Sequence, residues 1–267
     1  MNNPLKYTDE SGELFGTILG LISDLVNNIF VRTFKGEQWD WTQTTWGWEI
    51  DKGLFITDPN KSNDERFFEF ISRITWQLPQ TLVGDLYVSS INALGKVNNV
   101  THNYGVTAVD KGSGGAVTLG CYSAGPKGYT ANWRDHTFVH EYGHYIQSQR
   151  YGIAFIPSIG LPSLLSAGLY KIDPSKFKHK TRRFEVEANI LGADSFFTHY
   201  SFSPILEPEY LFDKQAFFTG DTSLYENPRT HYYYDASFPD KYDFHWSDIL
   251  IYTASYFLTY ALSLFFL

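Results

Sequence analysis

The chain has 267 residues, a formal charge of −8, 43% hydrophobic and 18% aromatic residues, enough for one large domain with a substantial core or for two modest ones. That composition excludes a disordered chain, and the acidic balance, with no dense Lys/Arg stripe, excludes nucleic acid as the main partner. A single cysteine, Cys121, excludes an intrachain disulfide and any multi-cysteine zinc site.

Residues 1–13 form a turn-rich, polar lead ahead of a single domain expected over 14–267. From Leu14 to Val31 the apolar positions Leu14, Ile18, Leu21, Ile22, Leu25 and Ile29 follow a helical period, so an amphipathic helix is expected there. Glu10 and Glu13 precede it where a secretory leader would carry basic residues. The tryptophans at 39, 41, 46 and 48 read as packing or interface residues, and 53–65 as a loop. Phe67, Phe70, Ile71 and Ile74 suggest a second helix, stopped by Pro79. Between Val100 and Tyr122 β-branched and aromatic residues take over. Val100–Val109 and Ala116–Tyr122 read as two strands of a hairpin joined through Lys111-Gly112-Ser113-Gly114-Gly115. Cys121, on the second of these, is expected to be a buried, inert thiol. Lys176, Lys178, Lys180, Arg182 and Arg183 form a solvated loop leading into a later helix.

The stretch Phe138-Val139-His140-Glu141-Tyr142-Gly143-His144 carries the pattern HExxH. Residues four apart share a helix face, so His140 and His144 can reach one cation, and Glu141 beside them is placed to take a proton from water. Asp135 is positioned to cap the start of this helix and Gly152 its end. A third histidine six residues on would mark the metzincin pattern, but Gln147 and Arg150 stand at the diagnostic places, which excludes it. A third ligand is therefore sought on a second helix, running from an N-cap at Thr181 to about His199. Glu185 and Glu187 point about 200° apart on it, so only one can face the metal. Glu185 shares its face with Ala188, Asn189 and Gly192, which allow another helix to come close. It is the expected ligand, with Asn189 one turn on as a partner for a ligand histidine. His199 lies about 21 Å further along the helix, too far for the same ion.

Two histidines of HExxH with a downstream Glu resemble the gluzincin branch of zinc metallopeptidases, in which an Asp usually stands where this chain has Asn189. Residues 137–168, through Gln147-Ser148-Gln149-Arg150-Tyr151-Gly152 and Ile159-Gly160-Leu161-Pro162-Ser163-Leu164-Leu165-Ser166, look like a metallopeptidase-like C-terminal domain of bacterial Rhs/YD-repeat proteins. The opening Asn2-Asn3-Pro4-Leu5-Lys6-Tyr7-Thr8-Asp9 is similar to the end of the Rhs-associated core. These resemblances imply a Zn²⁺ cofactor and an effector or toxin delivered by a bacterial secretion system, with an immunity protein as a partner.

The expected chemistry is hydrolysis of a peptide bond, with an extended peptide substrate pairing along an edge of the 100–122 hairpin. A downstream transition-state donor falls among His231, Tyr232, Tyr233 and Tyr234, against the plainer reading of an aromatic cluster. Ile249–Leu267 holds 19 uncharged residues, long enough to span a membrane or to lie buried or at its surface. Two other readings stay open: a zincin-fold binding module without turnover, to which Asn189 points, and a membrane-active effector with a structural metal. The expected fold is α+β and zincin-like: a mixed, mainly antiparallel sheet over the HExxH helix, followed by a helical second half.

Overall fold

The computed structural model describes residues 15–177, 179, 180, 182–200 and 251, without the side chains of 197–199. The chain divides into two compact units, Met1–Glu141 and Tyr142–Leu267, and the division falls inside one helix.

In the first unit, α1 (Phe15–Asn27) continues through a π-helical turn (Asn28–Arg32) into α2 (Thr33–Lys35), which closes on Gly36 in the left-handed conformation. The helical period expected over 14–31 is present, but the face it buries consists of Gly16, Gly20, Asp24 and Asn28, while Ile18, Ile22 and Ile29 are exposed. Antiparallel to α1 lies α3 (Thr42–Lys52), whose Asp51 carboxylate accepts from the Gly16 and Thr17 backbone N–H groups at 2.8 Å each. Those donors begin a helix and have no intrahelical partner, so a carboxylate there both caps them and meets the positive end of the dipole.

The helix expected around Phe67 is α4 (Asn63–Ile74), opened by a capping box between Ser62 and Glu65. It ends well before Pro79. That proline instead sits in the first turn of α5 (Leu78–Ala93), where its missing N–H costs nothing, so it starts a helix rather than stopping one. Inside α4, the buried Arg73 guanidinium donates to the carbonyls of Leu54, Ile56 and Gly105 at 2.7–2.8 Å and to the Glu69 carboxylate at 2.7 Å. Lys61 reaches the other oxygen of Glu69 at 3.1 Å. One buried cation thus ties a helix, the 53–56 turn and the sheet together.

The sheet has four strands in the order β1-β2-β4-β3. β1 (Asn99–Asn103) and β2 (Val106–Asp110) are antiparallel, β2 and β4 (Tyr122–Gly125) parallel, and β3 (Val117–Leu119) antiparallel to β4. The architecture is α+β with a small mixed, mainly antiparallel sheet, as expected. The pairing differs from the expected hairpin. Val100–Val109 is itself a hairpin turning at Tyr104-Gly105, both at positive φ (54° and 73°). Lys111–Gly115 is part of a crossover into β3 and β4 rather than a hairpin turn between paired neighbours. Asp110 organises that crossover. Burial alone would raise its pKa, but bonds from the Asn98 amide and from the Gly128 and Gly112 backbone outweigh it and hold the carboxyl below the usual range. Cys121 is fully buried, which pushes its thiol up to about 11 and fits the expected inert role.

The HExxH helix is α6 (His136–Tyr151). Asp135 accepts from the Thr137 N–H at 2.9 Å at its start, and Gly152 takes a left-handed φ of 53° at its end, the two cap positions expected from sequence. Its first turns, in the first unit, are anchored by Phe138, fully buried between the rings of Tyr104 and Tyr129.

In the second unit, a 3₁₀ turn (Gly152–Ala154) and a π-helical turn (Ile156–Gly160) lead into α7 (Leu161–Ile172), and after a non-helical stretch α8 (Arg183–His199) follows. Arg182 occupies the N-cap of α8 with no side-chain cap. Thr181, the expected cap, lies outside the described residues, as do residues 1–14, His231 to Tyr234 and, except for the buried Ile251, the 249–267 stretch. The rings of Tyr142, Phe196 and Tyr200 pack in sequence at a 40° tilt, with centroids 4.7 and 5.1 Å apart.

Candidate metal centre

His144 follows His140 by four positions, about one turn, along α6, and Glu185 comes from the first turn of α8. One donor atom from each of the three lies within 4.8 Å of the others. His144 and Glu185 are 6% and 2% exposed, and His140 is half-buried. Of the two carboxylates weighed from sequence, Glu185 is the one brought to the histidines.

The distance between helices depends on a residue inside the motif. A Cβ on Gly143 would lie 1.8 Å from the Ala188 carbonyl oxygen and 2.4 Å from its carbon. Both are backbone, so nothing flexible could yield. The small residue one turn along from Glu185 meets glycine directly, as the expected close approach requires, and Glu185 Oε2 lies 3.4 Å from His144 Nε2.

His144 is held in one tautomer. Gln147, fully buried, donates through its amide nitrogen to the Phe184 carbonyl (2.9 Å) and to the Glu187 carboxylate (3.1 Å). Its oxygen therefore faces His144 Nδ1, at 2.7 Å, and accepts the ring proton. Nε2 is left with its lone pair directed at Glu185 Oε2, 3.4 Å away. Glu187, the rejected ligand, has a different role: it anchors Gln147 and also accepts from the Tyr151 hydroxyl. Such carboxylate–amide–imidazole relays fix ligand orientation and basicity.

Glu185 has further neighbours. Its Oε1 accepts from Ser163 at 2.5 Å, and His179 Nε2 lies 3.7 Å from the same atom while its Nδ1 faces Ser166 at 3.2 Å. One carboxylate oxygen is thus steadied by the protein and the other left toward the histidines. Glu141 is 4% exposed and its Oε2 is buried with no hydrogen-bond partner among the described residues. A buried carboxylate oxygen without a partner is costly unless a ligand or water completes it. Nearby, burial and then the Glu141 charge push the Tyr129 phenol well above its usual value.

Sequence reasoning named His140, His144 and Glu185, which the structure brings together, and Glu141 beside them. It missed Gly143, Gln147, Ser163 and His179. Gln147 carried a usable signal, since it lies three residues after His144 and so on nearly the same face. Asn189, the residue expected to support a ligand histidine, is half-buried on α8 one turn beyond Glu185.

The donor set, and a Glu141 oxygen that has no hydrogen-bond partner among the described residues, fit a divalent metal with nitrogen and oxygen ligands. Compared with family models, characterised proteins and solved structures, the chain matches none.

Gly143→Ala is expected to force α6 and α8 apart and to weaken binding of a divalent metal by about 10- to 100-fold, the range typical of disturbed ligand support. Competition titration with a chromogenic chelator reads this. Unchanged affinity would mean that the crossing does not set the ligand position.

Proposed function

We propose that the chain is a zinc-dependent peptide hydrolase, with the metal held by His140, His144 and Glu185 and Glu141 as the water-activating base. The observation that carries this reading is the pairing of His144 Nε2 with Glu185 Oε2 at 3.4 Å while Nδ1 is committed to Gln147. Two lone-pair donors held that close in a buried place repel unless a proton or a metal cation joins them. With His140 as the third donor they offer a His₂Glu set, the donor set that catalytic zinc sites use. Zinc bound there supplies Lewis-acid polarisation of the scissile carbonyl and a lowered pKa for water. The Glu141 carboxylate takes the proton of the attacking water and hands it to the leaving amine. Its partnerless Oε2 is suited to that work because it is tied into no structural bond that the reaction would have to break. Gln147 and Glu187 keep His144 in the ligating tautomer, and Ser163 keeps Glu185 from rotating away.

The likeness of residues 137–168 and of the opening residues to Rhs C-terminal domains supports a zincin-like effector carried by a bacterial secretion system, with an immunity protein as its partner.

Elemental analysis of the full chain, purified without chelators, tests the site. Wild type and Glu187→Ala should each carry one zinc per chain, the latter more weakly held, and Glu185→Ala should carry none. Wild type without zinc would remove the hydrolase reading and leave a metal-free binding module.

A further inference from the structure

Helices of water-soluble domains turn their apolar side inward. The helical layer of the first unit does the reverse. On the run from α1 to α2 every fourth residue is buried, Gly16, Gly20, Asp24 and Asn28, while Phe15, Ile18, Ile22, Val26, Ile29 and Phe30 are exposed, Phe30 by 67%. On α5 the buried residues include Gln80, Thr81, Gly84, Ser89 and Asn92, whereas Leu78, Leu82, Val83 and Leu86 are exposed. α4 repeats the pattern, with Glu69, Ser72 and Arg73 inside and Phe67 and Phe68 outside.

What joins these helices is polar and small. Asp24 accepts from the Thr44 N–H and hydroxyl, both at 2.8 Å. The Asn28 amide exchanges two bonds with the Asp40 backbone. Ser23 donates to the Ala93 carbonyl and Asn92 to the Gln43 carbonyl, each at 2.6 Å. Gly20 lets α1 rest on α3: a Cβ there would lie 2.1 Å from the Gln43 carbonyl oxygen. Small-residue contacts and hydrogen bonds hold helices together where the surroundings are as apolar as their side chains and no hydrophobic force acts between them.

The dimensions agree with a lipid surface. Contacts of Ser23 with Ala93, and of Phe15 with the pocket formed by Leu82 and Leu86, make α1 and α5 parallel neighbours. Residues 15–31 and 75–95 hold one charge each, Asp24 and Asp85, so the two helices offer an apolar band about 25 Å long. Exposed tryptophans stand at both ends: Trp76 just before α5, and Trp39 and Trp41 beside the end of the α1 run, where Trp39 bonds Thr33. Arg32 and Lys35 flank the latter end. Tryptophans bracketing an apolar band of that depth mark the two interfaces of a bilayer. A pocket of about 350 Å³, lined by Leu54, Ile74, Leu78, Leu82 and Leu86 and at its polar side by Asp51 and Asp85, adjoins the same face. Among the described residues Phe15–Lys35 is the one helix long and apolar enough to cross a membrane. A core helix of a soluble protein meets the same test, but only 22% of the apolar stretch is buried here.

We propose that the face formed by α1, α5 and the adjoining α4 lies against the acyl chains of a lipid bilayer. The proposal is independent of the metal. It is tested by flotation of the full chain with phosphatidylcholine vesicles in a density gradient. Wild type is expected to float, and Ile22→Glu/Val26→Glu and Leu82→Glu/Leu86→Glu each to float at least about tenfold less, because two charges would enter hydrocarbon. Unfolding temperatures without lipid should be close to wild type, since all four side chains point outward. Wild type that stays in the soluble fraction overturns the proposal. So do variants that float like wild type, which would assign binding to 249–267. A lipid-free dimer dissociated by the same substitutions, without flotation of wild type, would give the face to a second copy of the chain. Should a variant fail to fold, tryptophan quenching in the wild type by vesicles with brominated acyl chains decides: quenching is expected, and its absence overturns the proposal.

Discussion

Glu141→Gln is expected to leave one zinc per chain and to lower peptide hydrolysis by about 10²- to 10⁴-fold, the usual contribution of a positioned general base. The change keeps the shape of the side chain and removes only its capacity to take a proton. It touches no ligand atom, so the metal, read by elemental analysis, should stay at the wild-type level. The loss should fall on kcat rather than KM, because the carboxylate acts on the attacking water and not on the peptide in its ground state. Glu141 Oε2 has no hydrogen-bond partner among the described residues, so thermal stability should hold or rise slightly when the buried charge is removed. Turnover at the wild-type rate would refute the assignment. A large drop in stability with unchanged zinc would instead make Glu141 a structural residue.

Arg73→Ala should be the most damaging substitution for stability, at about 3–5 kcal/mol, the cost of breaking a buried ion pair from one side. The guanidinium donates to four backbone carbonyls, those of Gly53, Leu54, Ile56 and Gly105, and to Glu69, and it is fully buried. Its removal strands the carbonyls of Leu54, Ile56 and Gly105 away from water and takes from the 2%-exposed Glu69 carboxylate its closest cation, leaving the half-buried Lys61 ammonium at 3.1 Å. Chemical denaturation of the variant gives the value directly. Glu69→Gln/Arg73→Met should recover part of the loss, since no uncompensated charge then remains inside. A single-variant cost below about 1 kcal/mol would mean that water reaches the cluster.

Much of the cluster of His140, His144 and Glu185 was legible because helical geometry does most of the placing. The 100° step put His140 and His144 on one side of α6 and separated Glu185 from Glu187 on α8, and the small residues beside Glu185 identified the face that another helix could approach. Gly143 was harder. Its role depends on which backbone atom of α8 arrives opposite it, and that is settled by tertiary packing. His179 comes from a stretch outside any helix, so no periodicity connects it to Glu185. In the sheet, a turn at Tyr104-Gly105 escaped notice because tyrosine at positive φ is an unusual opening for a two-residue turn, whose common signal is Asn-Gly. Pro79 misled for a definable reason: proline ends one helix and begins another equally well, and only the neighbours decide. The direction of the amphipathic helices could not be read at all. A helical period shows that two faces differ, and says nothing of which one the protein covers.

The contact between Gly143 and Ala188 bears on how other chains of this kind should be sought. A pattern of His-Glu-any-any-His admits every residue at the fourth place, yet here that place tolerates no side chain. Gln147 narrows it again, since it sets the tautomer of the second histidine. A search keyed to His-Glu-x-Gly-His-x-x-Gln, followed by a helix with Glu three residues before Ala, encodes the spacing of two backbones as well as the donors. It would pass over the accidental matches that the bare five-residue pattern collects.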